Sequence, residues 1–270
     1  MDLQLAGKRA LVTGSNTGIG KGIASVLARE GAAVVIHGRK RDKAEATAKE
    51  IRSAGGKAHV ALGDLASDEG AAAVVKATQE KMGGVDILVN NIGVLSGGSI
   101  RPWFEIRPEE WAETMQQNVI AAVRMIHAFI PSMRERGWGR VINISSAGAT
   151  QATDPPDYCA AKAAVINMTL SLSKTLARTG VTVNTVSPGC TRTEMFERTL
   201  DKMAAANGWP DDYDSREARF MDLGLFPCAA ERYGRPEDIG ALVAYLASPL
   251  ATFVTGANYR IDGGQCQSVN

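Results

Sequence analysis

The sequence predicts a single α/β domain in which helices cover both faces of one parallel sheet, the doubly wound architecture. Short runs rich in β-branched residues alternate with longer segments whose apolar residues recur at helical spacing, and this alternation is typical of repeated strand–helix–strand units. No internal repeat, low-complexity tract or proline-rich linker interrupts the series. We therefore expect residues 1–270 to form one domain.

Seven segments have the composition of strands, and the segments between them have helical period. The first helix carries one apolar stripe and is expected to stop at Gly31, because glycine favours the position after a helix end. The second helix is expected to open with Asp42 and Glu45 in a capping box and to close at residues 55–56. The predicted strands are residues 8–13, 33–37, 58–62, 85–90, 140–145, 181–186 and 258–261.

The composition is that of an ordinary globular protein and argues against several functional classes. Lys and Arg number 30 and Asp and Glu 29, so a net charge of +1 creates no field that would attract nucleic acid. The chain has no run of 18 apolar residues and no signal-peptide core at its start, so we expect no membrane span and a cytoplasmic location. Four widely spaced cysteines predict free thiols rather than a zinc cluster or disulfides: Cys159, Cys190, Cys228 and Cys266.

Residues 190–235 form an unusually long connection between the sixth and seventh predicted strands. Segments of this length are often lids or binding loops, so we predict a substrate-binding lid at residues 190–230. A pair of ordinary surface helices is the alternative. The apolar side chains expected to line a pocket under the lid are Trp209, Phe220, Met221, Leu223, Leu225 and Phe226.

The first strand passes into the first helix through a glycine-rich turn at residues 13–20. Glycines permit a tight turn and a close approach of backbone N–H groups to a phosphate, and the helix N-terminus adds the positive end of its dipole. A site for a phosphate-bearing ligand is therefore expected here. Its residues are Gly14, Ser15, Asn16, Thr17, Gly18, Ile19 and Gly20.

With Thr13 in front, this spacing resembles the Thr-Gly-x-x-x-Gly-x-Gly fingerprint of the short-chain dehydrogenase/reductase family. Other motifs of that family follow in order over nearly the whole chain: Asn90-Asn91-Ile92-Gly93, Asn118, Ser145-Ser146, Tyr158-x-x-x-Lys162, Pro188-Gly189 with Thr193, and Asp262-Gly263-Gly264. The resemblance implies the compact branch of the family, with a Rossmann-type doubly wound fold and a seven-stranded parallel sheet. One departure is Ile92, where the family usually has Ala.

The end of the second strand indicates which dinucleotide binds. A site that prefers NAD places an acidic residue here for the ribose 2′-OH, whereas an NADP site offers Arg to the 2′-phosphate. The acidic position of the family falls at Gly38, and Arg39 matches the position that marks NADP enzymes. The cations at residues 39–41 precede a helix start, which is unfavourable unless an anion binds there. We expect NADP(H), with a solvated charge run as the alternative.

The resemblance implies further cofactor contacts. Asp64 matches a position that contacts the adenine ring, although a loop-capping role is an alternative, and Leu65 follows it. The other positions are Asn91 and Gly93 after the fourth strand, Pro188 and Gly189 beside the nicotinamide, and Thr191 and Thr193, which match contacts to the carboxamide and the phosphates. Thr191 is expected to contribute only its backbone.

Tyr158 and Lys162 are four residues apart and share one helix face. A neighbouring ammonium is expected to lower the phenol pKa, which suits the general acid of a carbonyl reductase. The resemblance implies that a serine bonds the substrate oxygen, that Tyr158 passes it a proton and that Lys162 also holds the nicotinamide ribose. Strand register favours Ser146 as this serine, whereas the usual spacing before Tyr158 gives Ser145; we choose Ser146.

Asn118 interrupts an apolar helix face formed by Trp111, Met115, Ala122, Met125 and Phe129. It is either a core asparagine satisfied by local backbone or, as the resemblance implies, part of a bent helix whose freed carbonyl holds a water beside Lys162. The expected catalytic set is Asn118, Ser146, Tyr158 and Lys162, with no metal.

The sequence thus predicts an NADP(H)-dependent oxidoreductase that interconverts a ketone and a secondary alcohol, with a small and largely apolar substrate. A non-catalytic NADP(H)-binding regulatory protein of the same fold is the alternative. A methyltransferase is disfavoured, because this chain lacks the acidic residue that such an enzyme would need near Gly38. The helix at residues 159–177 is apolar on most sides and must be covered. The family assembles tetramers through this helix, so we expect a homotetramer, with a homodimer as the alternative.

Overall fold

One seven-stranded sheet runs through the computed structural model, which describes residues 1–95, 100–152, 155–224 and 226–268. All strand pairings are parallel, in the spatial order β3-β2-β1-β4-β5-β6-β7. The strands are β1 (Arg9–Val12), β2 (Ala33–Gly38), β3 (Lys57–Leu62), β4 (Ile87–Asn90), β5 (Gly139–Ile144), β6 (Val181–Pro188) and β7 (Asn258–Ile261). The predicted fold class and the predicted strands are confirmed.

Helices cover both faces of the sheet. On β2, Val34 and Ile36 face a core shared with α1, α2 and α9, while Val35 faces a second core shared with α3 and α5. Both faces are therefore apolar, as a doubly wound sheet requires. The helices are α1 (Gly18–Arg29), α2 (Arg41–Ser53), α3 (Asp68–Met82), α4 (Pro108–Met115), α5 (Ala121–Glu135), α6 (Pro156–Thr175), α7 (Glu194–Asn207), α8 (Tyr213–Asp222) and α9 (Pro236–Ala247). In the described part of the chain, none is long and apolar enough to cross a membrane.

Helices α1 and α9 pack unusually closely because each has a glycine at the contact. A Cβ on Gly22 would lie 2.6 Å from the carbonyl carbon of Pro236, and one on Gly240 would lie 2.7 Å from Cγ2 of Val26. Neither position has room for a side chain. This contact fixes α1, whose N-terminus follows the glycine-rich turn.

The predicted ends of the first two helices are only partly correct. Helix α1 ends at Arg29 and Gly31 follows with φ +92°, as expected. The capping box at the start of α2 is wrong: the helix begins at Arg41, and Lys40 occupies the capping position without a side-chain bond. Asp42 lies inside the first turn, because the chain enters the helix almost directly from β2. There it still offsets the positive end of the helix dipole.

Candidate active site

The glycine-rich turn lies between β1 and α1, beside β4, where the strand order reverses. Gly14 and Gly18 have φ values of +63° and +57°, a backbone region in which side chains are strained. Thr17, the residue before α1, makes no side-chain capping bond, and the first turn of the helix contains no acidic residue. The first N–H groups of α1 are therefore oriented to receive an anion from outside the chain, which fits the phosphates of a dinucleotide.

Several predicted cofactor residues use their side chains to build this turn. The Ser15 hydroxyl donates to Val12 O (2.6 Å) and is fully buried. The Asn91 amide donates to the carbonyl oxygens of Thr13 (2.9 Å) and Gly14 (3.2 Å). Ser15 can therefore offer a ligand only its backbone, and the side chain of Asn91 is committed to the turn. Of the other predicted members of the turn, Ile19 packs against the core, and a Cβ at Gly20 would collide with the Gly14 carbonyl.

His37, at the end of β2, supports the turn from inside the protein and was missed by the sequence analysis. Its Nδ1 accepts a hydrogen bond from Gly14 N (2.9 Å), and its Nε2 lies 3.1 Å from Gly63 O. A carbonyl cannot donate, so Nε2 carries the hydrogen. Burial lowers the pKa of His37 to about 4, which keeps the ring neutral near neutral pH. The available signal was a polar residue directly after the apolar run of β2.

After β2, Arg39 is largely exposed, and its Nη1 lies 3.4 Å from Oδ2 of Asp64. A side chain at Gly38 would come within 2.6 Å of Asn16 Cγ, so an acidic residue could stand there only if Asn16 moved. Asp64 also accepts a hydrogen bond from Ala66 N (3.0 Å), the loop-capping alternative. The side chain of Leu65 is buried in the core, which leaves only its backbone for a cofactor.

The predicted reacting residues meet beside Gly93, after β4. A Cβ at Gly93 would lie 3.2 Å from Lys162 Nζ and 3.5 Å from the Tyr158 hydroxyl. Lys162 Nζ donates to Ile92 O (3.1 Å) and Ile144 O (3.0 Å), which fixes its position. Because residue 93 has no side chain, a flat ring could lie close to the backbone beside Lys162 Nζ and the Tyr158 hydroxyl.

The two candidate serines have different surroundings. Ser145 is buried, and its hydroxyl donates to Lys162 O (2.7 Å). Ser146 borders a cavity, its side chain is hydrogen-bonded to Tyr158, and its Oγ accepts from Gly148 N (3.2 Å). Only Ser146 has the position that a substrate-binding hydroxyl needs.

The expected lowering of the Tyr158 pKa is wrong for the protein alone. Burial dominates and raises the pKa of Tyr158 to about 12, although the hydrogen bond from Ser146 opposes it. Burial also lowers the pKa of Lys162 to about 8, so the ammonium charge is itself disfavoured. Its Nζ is directed at two carbonyls and lies 5.5 Å from the centre of the tyrosine ring. The neutral phenol that results is the form that can donate a proton.

Asn118 is buried within a π-helical segment, Gln116–Ile120, that separates α4 from α5. Its Oδ1 accepts from Val94 N (3.0 Å), and its Nδ2 donates to Val94 O (3.0 Å) and Thr114 O (2.9 Å). These bonds to backbone atoms match the alternative of a core asparagine satisfied by the backbone. The π-helical segment is irregular, and such segments occur often at functional sites, while the bend and the water beside Lys162 stay predictions. The Asn118 side chain joins it to the loop after β4.

The remaining predicted cofactor residues follow β6. A side chain at Gly189 would collide with Gln265 and Asp262, so the chain there packs too closely for any residue but glycine. The Thr191 hydroxyl donates to Gly189 O (3.0 Å), which leaves its backbone available as expected. Thr193 caps α7 by accepting from Phe196 N (3.3 Å), and its methyl group lies beside Gly18. Pro188, the last residue of β6, borders the cavity.

The cavity in front of Tyr158 has a volume of about 380 Å³. Its described lining is Leu95, Ile100, Ser146, Ala147, Gly148, Gln151, Pro155, Tyr158, Cys159, Pro188, Gly189, Cys190, Gly224, Phe226, Pro227, Gln265, Cys266 and Gln267.

Residues 190–235 contain the helices α7 and α8, so the alternative of two surface helices matches the secondary structure. Of the apolar residues expected under a lid, Phe226 lines the cavity and Leu223 is exposed. Trp209 and Met221 pack against a separate cluster that contains Phe220. Leu225 lies outside the described residues.

Comparison with known families shows to which family this chain belongs. A family model described as short chain dehydrogenase matches residues 8–204, which include the glycine-rich turn and the residues beside Gly93. The chain belongs to the short-chain dehydrogenase/reductase family. It is an oxidoreductase of that family, and the fold and the resemblance expected from the sequence are confirmed.

Individual relatives in this family match the whole chain. The uncharacterized oxidoreductase YvaG of Bacillus subtilis (strain 168) is 39% identical over 272 residues, which cover 100% of both chains. A 3-oxoacyl-[acyl-carrier-protein] reductase of Vibrio cholerae is 36% identical over 97% of this chain and 98% of its own. The structure of L-sorbose reductase from Gluconobacter frateurii, complexed with NADPH and L-sorbose, aligns with a TM-score of 0.92 at 32% identity over 100% of both chains.

Proposed function

We propose that this protein interconverts a ketone and a secondary alcohol by hydride transfer with NADP(H). The observation that carries the proposal is the position of Tyr158 and Lys162 beside Gly93, with Ser146 hydrogen-bonded to Tyr158, at the same sheet edge as the glycine-rich turn. A carbonyl reductase needs a hydrogen-bond donor and a proton donor at one oxygen atom, and this arrangement supplies both.

Each residue has a distinct task in the proposed reaction. The Oγ of Ser146 accepts from Gly148 N, so the hydrogen that Ser146 shares with Tyr158 in the free protein can be donated instead to the substrate oxygen. Tyr158 then transfers its proton to the oxygen as negative charge develops there. Lys162, held by two carbonyls, has one N–H left for the nicotinamide ribose. The bound nicotinamide supplies the hydride, and the protein orients the reactants.

The preference for NADP(H) rests on residues 38–41. Arg39 stands next to Gly38, where a carboxylate would require Asn16 to move, and the first turn of α2 has no side-chain cap. Both features suit a phosphate group on the adenosine ribose. The NADPH bound to the Gluconobacter frateurii reductase is consistent with this choice.

The other proposals concern the surroundings of the reaction. The substrate is a small ketone or alcohol in a largely apolar cavity, and residues 190–230 act as its lid. A homotetramer forms through α6, on which Leu170 is exposed. The free thiols suit a cytoplasmic location. A non-catalytic regulatory role is not favoured, because the proposed catalytic set is complete.

The proposal is tested by mixing the protein with NADPH or NADH and a panel of ketones. Fluorescence reports cofactor binding, and loss of NADPH absorbance reports turnover. We expect saturable NADPH binding, weaker NADH binding and ketone-dependent oxidation of NADPH. Binding without oxidation by any ketone would favour the regulatory alternative, and stronger binding of NADH would contradict the cofactor assignment.

A further inference from the structure

The cavity in front of Tyr158 has no charged side chain in its described lining. The residues outside the described ranges contain no Lys, Arg or His either. Lys162 is buried and its Nζ is held by two backbone carbonyls. A carboxylate or phosphate group on the substrate would therefore enter the cavity without a basic side chain to compensate its lost hydration.

Two glutamine side chains in the described lining are fixed in orientation: Gln265, whose Oε1 accepts from Cys190 N (2.9 Å), and Gln151, which lies nearer to Ser146 in the sequence. Gln151, on the segment that follows Ser146, accepts a hydrogen bond through Oε1 from Gln267 N (2.8 Å). A backbone N–H can donate only to the amide oxygen, so the opposite corner of the amide is the Nε2 donor. Among the described residues, no acceptor engages this Nε2, and Gln151 borders the cavity.

The C-terminal segment that orients Gln151 is itself anchored. Asp262 accepts hydrogen bonds from Gly264 N (3.1 Å) and Cys266 N (2.9 Å). The Cys266 thiol donates to Ala147 O (3.5 Å), next to Ser146. Gln151 is thus held by a structured wall of the cavity rather than by a free chain end.

We infer that the substrate is an uncharged ketone with a second oxygen atom near the reacting carbonyl, and that Gln151 donates a hydrogen bond to that oxygen. The inference rests on the proposed function and adds the substrate class and a specificity-determining residue. The apolar part of such a substrate contacts the side formed by Leu95, Ile100 and Phe226. Its second oxygen faces the wall formed by the C-terminal segment.

The test compares four ketones with the full-length protein and NADPH: butanone, acetoin, methyl acetoacetate and acetoacetate. We expect kcat/KM for acetoin and for methyl acetoacetate to exceed that for butanone about five- to tenfold, the effect of one net hydrogen bond. Acetoacetate should react at least about a hundredfold less efficiently than its methyl ester, because it adds only an uncompensated charge.

Two substitutions at one position separate the hydrogen bond from the charge. Gln151→Leu should bring the preference for methyl acetoacetate over butanone to within about twofold of unity. Gln151→Lys should raise acetoacetate relative to the methyl ester at least about tenfold, because it adds a cation. The matched control is Gln79→Leu, the same change at an exposed position on α3 outside the described cavity lining, and the wild-type ratios should persist in it.

Three results would overturn the inference. Acetoacetate could react as well as its methyl ester, the oxygen preference could survive in Gln151→Leu, or the Gln79→Leu control could lose it. If Gln151→Leu does not fold, as judged from its thermal midpoint, Gln151→Lys decides the question. Failure of every ketone to oxidise NADPH would instead remove the proposed function, and the inference with it.

Discussion

His37 connects two loops at the carboxyl edge of the sheet, and its side chain is buried. It accepts from Gly14 in the glycine-rich turn and donates to Gly63 after β3, and its backbone N–H donates to Ser15 Oγ (2.9 Å). The turn therefore depends on one neutral imidazole in one tautomer. Its contribution to cofactor binding should be indirect, through the position of Gly14.

Asparagine and glutamine substitutions separate the two ring contacts of His37. Asn can place an oxygen near the Nδ1 position and keep the acceptor for Gly14, whereas Gln can place an NH₂ near the Nε2 position and keep only the Gly63 contact. We expect His37→Gln to weaken NADPH binding about tenfold and His37→Asn to weaken it less, because an unpaired buried N–H costs about 1–3 kcal/mol. Fluorescence titration measures both. Equal losses would mean that the Gly14 contact does not position the turn.

The same residue predicts a pH dependence of stability. The pKa of His37 is lowered from 6.5 to about 4 in the folded protein, so between these values the unfolded chain binds more protons. Its contribution is fully present above the unfolded pKa and is lost as pH falls toward the folded one. From about pH 7 to about pH 5, wild type should lose about 2 kcal/mol more than His37→Asn in urea unfolding. Parallel losses would contradict the buried neutral state.

Arg39 allows a direct test of the cofactor preference. A hydrogen bond to a charged group is worth about 1.5–3 kcal/mol, so Arg39→Ala should weaken NADPH binding roughly 10- to 100-fold and leave NADH nearly unchanged. Lys40→Ala removes a neighbouring charge and should have a smaller effect. Equal losses for the two cofactors would refute the assignment to the 2′-phosphate.

At the scale of elements, the close contact of α1 with α9 leads to a prediction about the free energy of unfolding that does not depend on the active site. Gly22→Ala places a methyl group against the backbone of Pro236, which cannot yield like a flexible side chain. Over-packing of this kind costs about 1–3 kcal/mol in unfolding free energy, measured with denaturant. Arg29→Ala, on the exposed side of α1, is the control and should change stability by less than about 0.5 kcal/mol. A stable Gly22→Ala variant would mean that the helices can separate at no cost.

Secondary structure was predictable where local patterns decide it, and less so where packing decides it. Strand β2 lies within one residue of its predicted range because its apolar run is bounded by Gly31 and Gly38. Residues 190–235 seemed irregular because Asp, Gly and Pro are frequent there. Their helices are instead stabilised by an apolar cluster around Leu200, Phe220 and Tyr233, which local sequence does not reveal.

At the scale of the whole molecule, motif spacing identified residues that lie together in the candidate site, but it did not predict the hydrogen bonds and pKa values of their side chains. Tyr158, Lys162 and Gly93 come together as the resemblance implied. The hydrogen bond from His37 N to Ser15 Oγ and the raised pKa of Tyr158 depend on segments distant in the sequence, so motif spacing could not give them.

The central claim is that Tyr158 transfers the proton in an NADPH-dependent reduction. The most direct measurement is the turnover of Tyr158→Phe, with the ketone that wild type reduces best, alongside NADPH titration. The phenylalanine ring keeps the packing but has no transferable proton. We predict that kcat falls by ~10²–10⁴ while NADPH still binds with similar affinity. Turnover close to that of wild type would contradict the account.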